Sequence, residues 1–241
     1  MKISTGHKSS DRFDWKGITL YQDDRVLKVG TDALLLATWV PNIIHHAEFI
    51  LDVGTGSGIL ALLMAQSYKQ SSVLAIDPDE SAAQLANKNV GLSDYKNRIQ
   101  VDQTGLLELA SSTPQGFDLM VSNPPFYVNH ILPTTGVMQT SKHNALSPAL
   151  WMKSLSHLLK INGSICLVVP TLVAFEWIRE ANANELFCAE RMDIFSFPGD
   201  TSSKRSLLCL SHGLCKPTLK QMTIYKTEKV YTEEYAAWLG I

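Results

Sequence analysis

The run from Phe49 to Gln66 constrains the fold of this chain more than any other stretch. Phe49–Val53 is apolar apart from one aspartate, which is typical of a strand buried on both faces of a sheet. It leads directly into Asp52-Val-Gly-Thr-Gly-Ser-Gly58. Gly58–Gln66 is apolar on all sides, which predicts a buried helix. A strand, a tight glycine turn and a helix in this order form the first unit of a βαβ fold.

Strand-like and helix-like segments continue to alternate after this unit. Further strands are predicted at Ser72–Asp77, Arg98–Asp102, Phe117–Ser122, Ser164–Val169, Leu186–Phe197 and Ser206–Ser211. This alternation predicts an α/β protein, a three-layer α/β/α sandwich of the Rossmann-like type on a mostly parallel sheet of seven strands. The last two strands are separated only by a loop, so we expect them to form an antiparallel pair at the sheet edge.

The length of 241 residues suits a single domain, with residues 1–45 as an N-terminal extension and residues 46–241 as the core. Within the extension, Ile18–Val29 is interpreted as a hairpin that turns at Asp23-Asp24. Asp32–Trp39 is interpreted as a short helix that is capped by Thr31 and ended by Pro41.

The composition argues against several classes of protein. No apolar run is long enough to cross a membrane, and the polar N-terminus lacks the apolar part of a secretory signal. The four cysteines form no CxxC pair and the seven histidines complete no metal spacing, so we expect a cytoplasmic protein without a metal. Residues 200–229 carry six Lys and Arg against two acidic residues. This excess either attracts a polyanion or is ordinary solvated surface.

The glycine loop predicts a nucleotide-like cofactor. Gly54, Gly56 and Gly58 allow a tight turn and a close approach of a ligand, beside the amides of a helix N-terminus. Asp77 ends the next strand, 21 residues after Gly56, where a carboxylate can accept both hydroxyl hydrogens of a ribose. The Gly-x-Gly-x-Gly spacing, a loop without a cation and the flanking Asp52 favour S-adenosylmethionine (SAM), which is cationic, over NAD.

Asn123-Pro124-Pro125-Phe126 follows a predicted strand and therefore falls at the same sheet edge as the glycine loop. The prolines hold the Asn123 side chain and the Pro124 carbonyl on a rigid backbone. Both oxygens can accept the N–H bonds of an amine or amide and aim its lone pair at a methyl group. Phe126 can stack on a flat acceptor, so the motif predicts methylation of a planar nitrogen compound. The alternative is a rigid turn with Phe126 in the core.

Four stretches resemble known enzymes. They are Lys28–Trp39, Leu51–Leu62, Phe117–Phe126 and Tyr231–Tyr235. Together they resemble the class I SAM-dependent methyltransferases and, more closely, the bacterial valine-tRNA adenine-N6-methyltransferases, which modify A37 beside the anticodon. The resemblance extends over nearly the whole chain.

This resemblance implies roles for further residues. In the family the stretch that corresponds to Lys28–Trp39 borders the SAM pocket, so Lys28, Thr31 and Asp32 are candidate SAM contacts. Pro78 is a further candidate, and so is Asp102, which lies near Gly105, where the family usually has an acidic residue that contacts the SAM adenine. The candidate cofactor residues are then Lys28, Thr31, Asp32, Asp52, Gly54, Gly56, Gly58, Asp77, Pro78, Asp102 and Asn123, and the candidate catalytic residues are Asn123, Pro124 and Phe126.

The implied function is transfer of a methyl group from SAM to N6 of an adenine in tRNA, with the anticodon loop of a valine tRNA as partner and neither membrane nor metal. Other acceptors for the same chemistry are a glutamine amide of a release factor, guanine N2 of ribosomal RNA and adenine in DNA. Residues 127–145 contain no arginine, whereas the family tends to have an arginine-rich loop there. A non-catalytic module that binds SAM and RNA is therefore a second interpretation, and an NAD-dependent oxidoreductase is a third.

Overall fold

The computed structural model of the chain describes residues 12–125 and 146–240. The strands are β1 (Arg12–Trp15), β2 (Ile18–Tyr21), β3 (Phe49–Val53), β4 (Ser72–Ile76), β5 (Ile99–Asp102), β6 (Phe117–Ser122), β7 (Leu159–Pro170), β8 (Leu186–Phe195), β9 (Arg205–His212), β10 (Thr218–Thr223), β11 (Tyr225–Thr227) and β12 (Val230–Tyr231). The helices are α1 (Thr31–Ile43), α2 (Ile59–Ser67), α3 (Glu80–Gly91), α4 (Leu106–Ser112), α5 (Pro148–Leu158), α6 (Thr171–Asn182) and α7 (Glu233–Leu239). None of these described helices is long and apolar enough to cross a lipid bilayer.

Eight strands form the central sheet, in the order β10-β8-β9-β7-β6-β3-β4-β5. Neighbouring strands are parallel except where β9 pairs with β7 and β8. The predicted α/β fold on a mostly parallel sheet is confirmed, but the prediction of seven strands is wrong. β10 pairs with β8 and forms the edge, so the antiparallel pair β8–β9 lies one strand inside it. Four of the six β10 side chains are exposed, so its sequence lacks the apolar pattern of a buried strand.

Helices cover both faces of this sheet. Along β3, Ile50 belongs to the cluster that includes α1 and α2, whereas the next residue, Leu51, belongs to the cluster that includes α5 and α6. Successive strand side chains point to opposite faces, so β3 is buried on both. Helix α2 is buried at every position from Ile59 to Ala65, which accounts for its apolar character on all sides.

The hairpin of the extension differs from the prediction. β1 and β2 pair as an antiparallel hairpin, and the turn between them is formed by Lys16 and Gly17 at φ of +47° and +81°. Positive φ at both central residues is what a two-residue hairpin needs to match the twist of its strands, and Gly17 adopts it readily. The predicted hairpin of Ile18–Val29 is therefore wrong. A turn does occur at the predicted place, where the Asp23 carbonyl accepts from the Val26 amide at 3.0 Å and Asp23 Oδ1 accepts from the Arg25 amide at 2.9 Å, but no strand follows it before α1.

Helix α1 is longer than predicted. It begins at Thr31, with Gly30 as the N-cap residue, and continues past Pro41 to Ile43. Proline removes one amide donor, but the last turn is held by the Asn42 side chain, which donates to the Thr38 carbonyl at 2.8 Å. Pro41 is therefore tolerated because it lies in the last turn of α1, where the loss of one backbone hydrogen bond does not interrupt the rest of the helix.

Candidate active site

The carboxyl ends of β3, β4 and β6 meet at one edge of the sheet. Val53 at the end of β3 pairs with Ile76 of β4 on one side and with Ser122 of β6 on the other. Ser122 also donates a hydrogen bond from its Oγ to the Val53 carbonyl oxygen at 2.6 Å. The glycine loop, the turn after β4 and the asparagine motif therefore start from adjacent strands, ~4.8 Å apart. Open α/β sheets bind their ligands at this edge.

The glycine loop has a backbone conformation that favours glycine. φ is +71° at Gly54, +56° at Gly56 and +86° at Gly58. A Cβ built on Gly54 would meet none of the described atoms within 4 Å, whereas one on Gly58 would lie 3.4 Å from Ala86 of α3. Gly54 therefore borders open space that a ligand can occupy, and Gly58 allows α3 to pack closely against the loop.

Amides of this loop hold it against the end of β4. Those of Gly54 and Thr55 donate to the Ile76 carbonyl at 2.9 and 3.0 Å, and that of Gly56 donates to Asp77 Oδ2 at 3.0 Å. These three amides are engaged within the protein, and the availability of amides at the N-terminus of α2 to a ligand stays a prediction.

Asp77 joins the glycine loop to the turn that follows β4. Its Oδ2 accepts from the Gly56 amide, and its Oδ1 accepts from the Asp79 amide at 3.0 Å. Burial raises the pKa of the Asp77 carboxyl, and the two amide hydrogen bonds oppose that rise. Each carboxylate oxygen accepts more than one hydrogen bond, and the side chain is only half-buried. Asp77 can therefore hold the loop and still accept from the hydroxyl groups of a ribose.

Asp52 is fully buried beneath the glycine loop. Its Oδ2 accepts from Thr55 Oγ1 at 2.6 Å and from the Ala61 amide at 3.0 Å, which fixes the start of α2. Its Oδ1 has no hydrogen-bond partner among the described residues. A buried acceptor without a partner is costly unless a ligand pairs with it. The residues present thus fit a cofactor with a cationic group. Asp52 stays a candidate cofactor contact, but only its Oδ1 is left to make that contact.

The protonation of Asp52 leads to a prediction about stability. Burial raises the pKa of its carboxyl to about 7, against the hydrogen bonds from Thr55 and Ala61. The unfolded chain titrates near its ordinary value of about 3.9, so the folded state binds the proton more tightly. The free energy of unfolding should therefore fall as pH rises from about 4 to about 7.

We expect Asp52→Asn to remove this fall. Over that range wild type should lose roughly 3–4 kcal/mol of unfolding free energy relative to the variant, because each pKa unit corresponds to about 1.4 kcal/mol. Urea unfolding of both proteins at a series of pH values measures the difference. Other carboxyl groups, such as that of Asp77, are present in both proteins, so their contributions to the pH dependence cancel in the difference. Parallel curves of unfolding free energy against pH would contradict the assignment.

Asn123 and Pro124 follow β6 beside the glycine loop. Asn123 is half-buried and Pro124 is buried, whereas Pro125 is exposed. The Asn123 carboxamide forms no hydrogen bond with any other residue in the described ranges. Its contact with a ligand at the sheet edge stays a prediction. Phe126, the third candidate catalytic residue, lies outside the described residues.

The turn after β5 lies next to the turn after β4. The Asp77 amide donates to the Asp102 carbonyl at 3.3 Å, and Pro78 Cβ lies 3.9 Å from the position of a Cβ on Gly105. Both Asp102 carboxylate oxygens accept from Gln100 Nε2, at 2.9 and 3.0 Å. Pro78, Asp102 and Gly105 are thus brought together beyond Asp77, and their contact with a cofactor stays a prediction.

The N-terminal extension touches the glycine loop through Val26, which the sequence analysis did not single out. Val26 is buried with Ala82 and Leu85 of α3, and its Cγ1 lies 4.0 Å from the position of a Cβ on Gly56. Lys28 is exposed nearby and forms an ion pair with Asp24 at 2.9 Å. An apolar residue within a polar stretch was the only sequence signal for Val26.

The first turn of α1 is tied to β9. Asp32 Oδ2 accepts from Arg205 Nε at 2.7 Å, while Thr31 is exposed. In the sequence Arg205 stands out only as part of a basic segment, because no local pattern links two residues 173 positions apart. Asp32 is therefore engaged by the protein itself, and its role as a SAM contact stays a prediction.

Other parts of the described chain offer weaker candidates. Within residues 12–125 and 146–240, no three His, Cys, Asp or Glu side chains group to hold a metal ion. A cavity of 550 Å³ lies between α1, β10 and α7, and Trp39, Met222 and Trp238 are among its lining residues. It is lined by none of the predicted site residues, so the carboxyl edge is the candidate active site.

Known proteins are similar to this chain in sequence and in fold. The family model described as methyltransferase small domain matches residues 24–171, which include the glycine loop and Asn123. A tRNA1(Val) (adenine(37)-N6)-methyltransferase of Bacteroides thetaiotaomicron is 33% identical over 92% of this chain and 93% of its own length. The protein of the same name from Yersinia pestis is 32% identical over 92% of this chain and 90% of its own. The solved structure of a predicted O-methyltransferase from Agrobacterium tumefaciens matches this chain with a TM-score of 0.67 and 19% sequence identity. The match covers 87% of this chain and 96% of that one, and it shows that the two share a fold.

Proposed function

Because this chain belongs to the methyltransferase small domain family, and is related over most of its length to tRNA1(Val) (adenine(37)-N6)-methyltransferases, we propose that it methylates N6 of an adenine in tRNA. The proposed methyl donor is SAM, and the proposed target is adenine 37 of a valine tRNA. The single observation that carries the proposal is the position of Asn123, directly after the strand that pairs with the one leading into the glycine loop.

The donor side of the site is formed by the ends of β3 and β4. SAM supplies an electrophilic methyl group carried on a sulfonium cation. Asp77 offers its remaining lone pairs to the ribose hydroxyls, and Asp52 lies beneath the loop with its Oδ1 unpaired among the described residues. Gly54 leaves the space above the backbone open. These residues bind the donor and need take no part in the chemistry.

The acceptor side is formed by Asn123 and Pro124. The amine of adenine is a poor nucleophile because its lone pair is delocalised into the ring. The Asn123 Oδ1 and the Pro124 carbonyl oxygen would accept its two N–H bonds, which turns the lone pair out of the ring plane. Both oxygens carry partial negative charge and stabilise the positive charge that develops on nitrogen. Orientation of this kind is worth about 7–11 kcal/mol in well-aligned systems, and the methylated nitrogen then releases its extra proton to water.

The choice of acceptor rests on the relatives, since the same two oxygens could also hold a glutamine amide, guanine N2 or an adenine of DNA. The names of the two curated relatives specify adenine 37 of a valine tRNA. An adenine in a loop is also the easiest base to bring into such a site, because enzymes that act on a base must first unstack it. A tRNA anticodon loop therefore fits the site better than duplex DNA.

A panel of acceptors tests this proposal. Purified protein with labelled SAM would be incubated with unmodified valine tRNA, other tRNAs, ribosomes, release factor and DNA. Label is expected in valine tRNA as N6-methyladenosine at position 37. Label in another acceptor alone would reject the tRNA assignment. A thermal-shift comparison should show stabilisation by SAM and none by NAD.

Gly54 gives a further prediction about the donor site. We expect Gly54→Ala to cost about 1 kcal/mol of stability, because alanine disfavours φ of +71°. The new methyl group would project into the open space above the loop, where SAM is proposed to bind. The dissociation constant for SAM should therefore rise about tenfold or more even under conditions in which the variant is fully folded. Calorimetric titration with SAM measures this. Gly91→Ala is the matched control, since Gly91 ends α3 without positive φ and borders open space. Equal SAM affinity of both variants would contradict the prediction.

A further inference from the structure

A small hairpin extends the carboxyl edge of the sheet on the side of β8 and β10. It consists of β11 and β12, which follow β10 directly. The Ile224 amide donates to the Phe195 carbonyl and the Tyr225 amide to the Ser196 carbonyl, both at 2.9 Å, so the chain leaves β10 alongside the end of β8. Thr232 Oγ1 donates to the Thr223 carbonyl at 2.7 Å and closes the base of the hairpin. The hairpin is therefore fixed at the same edge as Asn123.

Three aromatic rings stack at the base of this hairpin. Phe197 and Tyr225 have ring centroids 5.4 Å apart at an interplanar angle of 29°, and Tyr225 and Tyr231 are 5.4 Å apart at 21°. Tyr231 in turn meets Tyr235, which is buried in the core. Phe197, at the outer end, is 39% exposed, and its loop is held by Asp200 Oδ2, which accepts from the Ser196 and Phe197 amides. The stack is thus anchored at one end and open at the other.

Three lysines lie on the surface around the stack. Lys226 and Lys229 lie on the exposed hairpin, and Lys204 lies on the exposed loop before β9. None of these three lysines forms an ion pair with another residue of the described ranges. Glu228 at the hairpin tip, and Glu233 and Glu234 in the first turn of α7, are the exposed acidic residues of this part of the chain, and Arg205 is paired with Asp32. Asp200 points its Oδ2 at the backbone rather than at these lysines.

Stacked rings flanked by unpaired lysines are the combination that binds single-stranded nucleic acid. Aromatic faces take unstacked bases whatever their identity, and lysines neutralise the adjacent phosphates. β8 is three strands from β6, so the stack begins about 14 Å from the end of the strand that leads to Asn123, at the usual strand spacing. That separation matches a few nucleotides of an unpaired loop.

We propose that Phe197, Tyr225 and Tyr231, together with Lys226 and Lys229, bind the unpaired nucleotides that flank the methylated adenine. A base of the loop stacks on the open face of Phe197, and the lysines contact its phosphates. This proposal rests on the proposed function. It gives Lys226 and Lys229, two lysines of the basic segment, a role in substrate binding that does not require arginines in residues 127–145.

The test compares the affinity for RNA of variants of the full chain. Phe197→Ala and Phe197→Leu both remove the aromatic face, and leucine keeps the apolar volume, so a loss common to both is not a packing defect. Each should weaken binding of an unmodified valine tRNA transcript about tenfold in fluorescence anisotropy. The KM for tRNA should rise by a similar factor while kcat and the dissociation constant for SAM stay within twofold.

A double variant tests whether the two lysines contact phosphates. Replacing both Lys226 and Lys229 by glutamine should lower the slope of log affinity for tRNA against log salt concentration by about 1 for each lysine removed. Lys216→Gln and Leu219→Ala are the matched controls, because both residues are exposed near the other end of β10. Variants that bind tRNA as tightly as wild type, with the same salt slope, would overturn this proposal and leave the methylation intact. A wild type that methylates no tRNA would instead refute the proposed function, and the anisotropy comparison would still decide whether this surface binds RNA.

Discussion

Replacement of Asn123 by alanine is expected to lower kcat for tRNA methylation by about 10²–10³-fold, which is the usual cost of losing one preorganised group that stabilises transition-state charge. SAM affinity should be unchanged within twofold, because the donor side of the site consists of Asp52, Gly54 and Asp77. Single-turnover kinetics with labelled SAM and saturating tRNA would measure the rate, and calorimetry the affinity.

Two further variants separate an acceptor role from packing. Asn123→Asp keeps oxygens that accept N–H bonds, so its kcat should exceed that of Asn123→Ala. Asn97→Ala is the matched control, since Asn97 is an exposed asparagine at the amino end of β5, across the sheet from the site. Full activity of Asn123→Ala, or a loss that parallels lost SAM binding, would rule out the assigned role.

Replacement of Asp77 is expected to act on the donor instead. Asp77→Ala removes a half-buried carboxylate that holds the Gly56 amide and faces the proposed ribose position. Loss of charged hydrogen bonds of this kind costs about 1.5–3 kcal/mol each, so the dissociation constant for SAM should rise about 10- to 100-fold. The kcat at saturating SAM should change far less than in Asn123→Ala. Calorimetry and steady-state kinetics with varied SAM measure both quantities.

Because Asp77 also has a structural role, the design needs a partial substitution. Asp77→Asn keeps one acceptor oxygen and therefore one of the two bonds to the amides of Gly56 and Asp79. It should fall between wild type and Asp77→Ala in SAM affinity while its Tm stays closer to wild type. Asp94→Ala, at an exposed aspartate after α3, is the control. Unchanged SAM affinity in Asp77→Ala would remove Asp77 from the site.

The parts of the fold that the sequence predicts well are those with strong local patterns. β3, β4 and β6 are buried on both faces and contain mostly apolar residues, so their order and direction follow from alternation with helices. β10 was missed because its side chains are largely exposed and it is held to β8 by backbone hydrogen bonds, which leave no side-chain pattern. The hairpin turn at Lys16-Gly17 was missed because Asp23-Asp24 offered a competing turn signal.

The candidate site also has features that the sequence predicts and features that it does not. Gly54, Asp77 and Asn123 could be placed together because each directly follows a parallel strand, and carboxyl ends of parallel strands share an edge. The engagement of the loop amides and the burial of Asp52 depend on tertiary distances that no spacing encodes. The same holds for the pair of Asp32 with Arg205 and for the stack at Phe197, whose members come from separate parts of the chain.

The measurement that tests the central claim most directly is nucleoside mass spectrometry of valine tRNA purified from cells with and without the gene for this chain. We predict that N6-methyladenosine at position 37 is lost in its absence, restored by the wild-type gene and not restored by Asn123→Ala. The same amount of N6-methyladenosine in all of these cells would contradict the account.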